Sequence, residues 1–79
     1  MESTEIYKRL SKVFKEVFDD DDIVVRPELT ASEVEEWDSL KHIRLILSIE
    51  KEFHISFSAA EIGNLKNVGE LANLIHAKT

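Results

Sequence analysis

Apolar residues recur along this chain at helical spacing, in blocks separated by turn and capping signals. From Ser3 or Thr4 onward, Ile6, Leu10, Val13, Phe14 and Val17 share one face, with Tyr7 and Phe18 at its edges. Lys8, Arg9, Lys12, Lys15 and Glu16 fall largely opposite, so the spacing predicts an amphipathic first helix. It should stop near the acidic run Asp19–Asp22, because negative charge is disfavoured at the carboxyl end of a helix. In the next block, Leu40, Ile43, Leu45, Ile46, Leu47, Ile49 and Phe53 cover well over half of the helical circumference. That distribution predicts a central, buried helix, with only a narrow strip of Lys41, Arg44, Ser48, Lys51 and Glu52 left to solvent. His54 follows where the chain must leave the helix, a position that favours residues tolerant of the left-handed conformation.

Ser58-Ala59-Ala60-Glu61 has the spacing of a capping box and leads into Ile62 and Gly63, predicting one short helix. Asn67, with Glu70 three residues on, should start a last helix whose face is Val68, Leu71, Ala72 and Ile75. Between the first two helices, residues 19–38 carry Ile23, Val24, Val25, Pro27, Leu29 and Val34, enough apolar groups to pin a long loop to the helices. A connection of this length usually has a function or internal structure. Ile23–Val25 reads as a strand only if a second strand exists to pair with it, and no such signal is present. Thr30-Ala31-Ser32-Glu33 repeats the capping-box spacing and fits one short helical turn. The expected fold is therefore all-α, three longer helices and one short helix around a single core, with residues 1–79 forming one domain.

Composition narrows what such a bundle can do. With 79 residues and no cysteine, the domain has neither disulfides nor thiolate metal ligands, and its core must hold it together. A formal charge of -6 disfavours nonspecific binding to nucleic acid or anionic membranes, both of which call for a basic surface. No apolar run approaches the roughly 18–20 residues that span a bilayer, and no signal-peptide core is seen, so a soluble, cytoplasmic, monomeric protein is expected. The acids at 19–22 lack the glycine and closing glutamate of an EF-hand, which favours solvated carboxylates over a divalent-ion site. Three scattered histidines without cysteine make a zinc site improbable.

Candidate chemistry concentrates at Trp37-Asp38-Ser39-Leu40, at the head of the central helix. Two readings are open there. Asp38 or Ser39 caps the helix and nothing more, contributing about 0.5–2 kcal/mol. Alternatively, Ser39 carries a covalently attached anion, whose charge the exposed N–H groups and the positive dipole end accommodate. A catalytic Ser39–His42 pair would need an acid to orient the imidazole and an oxyanion pocket, and neither is evident. His42 falls between Ile49 and Phe53 on the helical wheel, which suits a structural role better than contact with a bound group.

Asp38-Ser39-Leu40, followed by Ile43, Leu47, Glu50, Glu52 and Phe53, resembles the prosthetic-group site and second helix of the acyl carrier proteins, the family that includes peptidyl and aminoacyl carriers. The resemblance extends over nearly the whole chain and includes the order of helices. It implies a freestanding carrier, itself not an enzyme, on which a phosphopantetheinyl transferase moves 4′-phosphopantetheine from coenzyme A to the Ser39 hydroxyl. The arm would carry acyl or aminoacyl groups as thioesters from a loading ligase or transferase to a downstream synthase or transferase. In that setting Asp38 caps the helix and aids recognition, and Leu40 packs beneath the serine or offers an apolar contact to the transferase. The rival is a helical interaction module with the same fold and no prosthetic group.

Two features depart from fatty-acid carriers. Trp37 replaces the small residue common before Asp-Ser, either as a loop anchor or as an aromatic contact for a partner or the arm. Lys41, Arg44 and Lys51 stand where an acidic second helix would meet basic enzymes. Because rim charges chiefly tune encounter rate and partner choice, these residues are the expected docking set, for enzymes with acidic or mixed surfaces.

Overall fold

The computed structural model describes residues 2–34 and 37–79. Among them lie four α-helices and no strand: α1 Ser3–Phe18, α2 Ser39–Phe53, α3 Ala59–Gly63 and α4 Val68–Lys78, with a 3-10 turn at Ala31–Glu33 inside the long loop. Ile6, Leu10, Val13, Phe14 and Phe18 from α1 meet Leu45, Ile46, Ile49 and Phe53 from α2 and Val68, Leu71, Ala72 and Ile75 from α4. Leu29 adds the buried side chain of the loop, while Ile23, Val25, Val34 and Trp37 lie half-buried against the same core. No side-chain polar atom is buried without a hydrogen-bond partner among the described residues.

The helix ends follow from local chemistry. α1 closes on Asp19 and α2 on His54, both in the left-handed conformation (φ 49° and 56°). Ser58 and Glu61 complete a reciprocal capping box on α3. Asn67 accepts from Glu70 N–H to start α4, and its first-turn N–H groups at Val68 and Gly69 donate to the loop carbonyls of Leu29 (2.9 Å) and Pro27 (3.0 Å). The loop thus caps α4 with its own backbone. A Cβ on Gly69 would stand 3.2 Å from the Pro27 carbonyl oxygen, so a larger residue there would have to push the loop back by a few tenths of an ångström. At Thr30 the capping spacing yields half a box: Glu33 accepts from Thr30 N–H, while the Thr30 hydroxyl pairs with Ser32.

One expectation needs correction. The apolar arc of α2 is not buried all round: Leu40, Ile43 and Leu47 are 65, 57 and 60 % exposed. Only its Leu45, Ile46, Ile49 and Phe53 face α1 and α4. Nor is Lys41 part of a free polar strip, since its ammonium donates to the Val17 carbonyl at the end of α1. The physical reason is that α2 packs along α1 on one side only, where side chains of α4 complete the core. A three-helix core can cover about half of a helix surface, whatever the residues on the other half.

Candidate functional site

The site is built where the long loop turns into α2. Asp38 takes an extended conformation and its carboxylate accepts from Lys41 N–H at 2.9 Å, while its carbonyl accepts from His42 N–H at 2.9 Å. Ser39 is therefore the first residue inside the helix, and it is exposed. The N–H groups of Ser39 and Leu40 have no helical acceptor at this position, and the first turn of α2 contains no carboxylate. A hydroxyl here is reachable, and an anion attached to it meets the positive end of a fifteen-residue helix.

Trp37 and His42 fix the approach of the loop. They occupy the positions just before the cap and four residues into the helix, the spacing at which apolar side chains clamp an N-terminus. The Trp37 indole N–H donates to His42 Nδ1 at 3.0 Å, with the rings stacked at 24° and centroids 6.1 Å apart. Indole is a donor only, so His42 must present a lone pair at Nδ1 and carry its proton on Nε2. Burial lowers the His42 pKa below 6.5, in keeping with a neutral acceptor. The other side of the indole meets Phe14 edge-on at 5.5 Å and Phe18 at 5.8 Å. Lys41 completes the attachment at 3.1 Å from the Val17 carbonyl, which lies in the last turn of α1 and lacks a helical donor. Three groups at the α2 start are thus tied down: the Trp37 indole to α1, the Asp38 carboxylate to the backbone, the Lys41 ammonium to the end of α1.

Trp37, Asp38, Ser39, His42 and Ile43 border a shallow, open depression beside the Ser39 hydroxyl. Trp37 and His42 also border a smaller, mainly apolar cleft of about 60 Å³ with Leu65, Lys66, Asn67 and Leu71. This is room for a few waters.

The structure brings together Trp37, Asp38, Ser39, Leu40 and Lys41, but in different roles. Trp37 is the loop anchor, half-buried on the α1 aromatics. Lys41 is a tether. Arg44 and Lys51 stand exposed on α2, and Leu40 projects outward beside Ser39 rather than packing beneath it. The Trp37–His42 hydrogen bond is not among the features the sequence predicts, although the clamp spacing around Asp38 carries a signal for it. At the other end of the loop, Asp19–Asp22 are exposed and Asp20 accepts from Asp22 N–H. Among the described residues no three metal-ligating side chains converge.

Comparison with known proteins gives the site its context. The model of a phosphopantetheine attachment site matches residues 8–75. The chain superimposes on the solution NMR structure of the holo acyl carrier protein from Geobacter metallireducens with a TM-score of 0.87 and 44% identity, covering 91% of this chain and 83% of that one. No curated protein matches it.

Proposed function

The chain belongs to the phosphopantetheine-binding family of acyl carrier proteins, and from that premise we propose that Ser39 is the residue that bears its 4′-phosphopantetheine. Family membership makes it a carrier rather than a catalyst, with a phosphopantetheinyl transferase and biosynthetic enzymes as the classes of protein it meets. The observation that supports Ser39 is its position: an exposed hydroxyl at the first residue of α2, beside free first-turn N–H groups and an open depression.

The residues around it divide the work. Asp38 holds the helix start in place, so the Ser39 backbone is presented to the transferase at a fixed position. Leu40, exposed beside it, offers that enzyme an apolar contact. The Trp37–His42 clamp and the Lys41 tether fasten the head of α2 to the end of the loop and to α1. The group supplies a flexible thiol on which acyl or aminoacyl cargo is held as a thioester. The cargo belongs to fatty-acid, polyketide or peptide-type biosynthesis, handed from a loading ligase or transferase to a downstream synthase or transferase in the cytoplasm. Among the described residues no helix is long and apolar enough to cross a membrane.

Incubation with coenzyme A and a broad-specificity phosphopantetheinyl transferase, followed by intact mass measurement, tests the assignment. One phosphopantetheine should be gained by the wild type and none by Ser39→Ala. Absence of any gain would favour the unmodified interaction module. A gain that persists in Ser39→Ala would move the site elsewhere.

A further inference from the structure

The indole bond leaves the other nitrogen of His42 with a proton and nothing to give it to. Nδ1 accepts from Trp37, so the proton is on Nε2, and among the described residues that N–H donates to no protein group. The side chain is half-buried, yet no side-chain nitrogen or oxygen is both enclosed and unpartnered among the described residues, so Nε2–H meets solvent. His42 follows Ser39 by one turn, and helical side chains lean back over the turn before their own Cα. The bond to Trp37, which precedes α2, shows that this ring does so. Ser39 and His42 border the same open depression, with Trp37, Asp38 and Ile43. The neighbouring polar groups are already engaged, the Asp38 carboxylate by Lys41 N–H and the Lys41 ammonium by the Val17 carbonyl. On that rim, Nε2–H is the side-chain donor not in use besides the Ser39 hydroxyl itself.

We infer that His42 is a positioning residue for the arm, its Nε2–H donating to the phosphodiester borne on Ser39 and holding the root of the arm in this depression while the thiol end stays free. This deepens the carrier reading above and rests on it. A hydrogen bond from a neutral donor to an anionic phosphate oxygen is of the stronger, charge-assisted kind. The same tautomer rules out another role: with its lone pair committed to the indole, His42 cannot take the Ser39 proton as a base. The charged groups around the ring are Asp38 and Lys41 at the α2 start and Lys66, which borders the small cleft from the α3–α4 connection; α4 adds Leu71 there, and α1 meets the Trp37–His42 pair through Phe14 and Phe18. An attached phosphodiester adds a fixed negative charge to that set.

The test compares the ¹⁵N-labelled protein before and after a broad-specificity phosphopantetheinyl transferase has loaded it from coenzyme A, with loading checked by intact mass. Imidazole ¹⁵N resonances and the ³¹P resonance of the arm are followed between about pH 5 and 8, where histidine titrates and a phosphodiester keeps its single charge. Loading should raise the His42 pKa by about half a unit or more, as an anion beside an imidazole does. The ³¹P resonance should step at that same pKa, while His54, at the opposite end of α2, should titrate as before. His42→Gln, which keeps an amide N–H near the Nε2 position, should abolish the step but leave the ³¹P resonance at high pH close to its wild-type place. His42→Phe, a ring without a donor, should move it, the amide spectrum of each variant reporting that it is folded. A His42 pKa unchanged by loading or a ³¹P resonance flat with pH would overturn the proposal, and neither reading needs a variant. So would a step that survives in His42→Gln, or the same ³¹P position in both variants. Absence of any gain in mass would overturn the carrier reading and this inference with it, whereas a loaded protein with a flat ³¹P resonance would overturn this inference alone.

Discussion

The two faces of α2 are built from the same kinds of residue and do opposite things. Leu45, Ile46, Ile49 and Phe53 look inward and are at most 5 % exposed, whereas Leu40, Ile43 and Leu47 look outward and are more than half exposed. Hydrophobicity alone therefore does not decide burial. What decides it is whether α1 and α4 reach that side of the helix. Apolar residues that fold leaves uncovered contribute little to its own stability and remain available for contact with another molecule.

The sharpest way to break this contrast is to shorten one side chain on each face. Ile49 is fully buried between helices, so Ile49→Ala should cost about 2–5 kcal/mol, measured as a lowered urea midpoint with unchanged slope. A cost under about 1 kcal/mol would show that the inward face is looser than its packing indicates.

A smaller effect is expected at the head of the inward face, where His42 accepts from Trp37. Its pKa is lowered by burial, so the unfolded chain takes up a proton more readily than the folded one as pH falls. Stability owed to the neutral imidazole is complete above the unfolded value near 6.5 and is lost as pH falls through the lower folded value. Urea unfolding at pH 7.5 and 5.5 should show a loss at the lower pH that is reduced in His42→Asn. The same loss in that variant would place the titrating group elsewhere. Glu33 and Glu61, whose pKa values are lowered chiefly by hydrogen bonds, add their own loss only further into acid, below the usual carboxylate range.

The smallest effect should come from the outward face. Leu47→Ala is expected to change folding stability by no more than about 0.5 kcal/mol, as for a surface substitution. Destabilisation comparable to that of Ile49→Ala would erase the distinction between the faces.

Most of the architecture was legible because it is encoded locally. The face of α1, the capping box at Ser58 and Glu61, the Asn67 cap and the turn-out at His54 each follow from a few neighbouring residues. Ser39 was likewise visible as a hydroxyl at a helix start. The outward apolar residues of α2 were not separable from the inward ones, because periodicity reports that a side chain is apolar and not which neighbour comes to meet it. Lys41 illustrates the same limit from the polar side. Its position on the wheel suggested solvent, yet twenty-four positions back in the chain the Val17 carbonyl needed a donor and lay within reach. Such long-range pairings depend on how helices are laid against each other, which no local spacing contains.

The Trp37 clamp has a practical consequence. It is the sole tryptophan of the chain, and its ring touches the aromatic core on one side and hydrogen-bonds His42 at the head of α2 on the other. Indole emission therefore arises from one point, two residues ahead of Ser39, where the interior of the bundle meets its working surface. The domain carries an intrinsic optical gauge of that junction, readable without a label as the helix start is loaded, titrated or engaged by another protein.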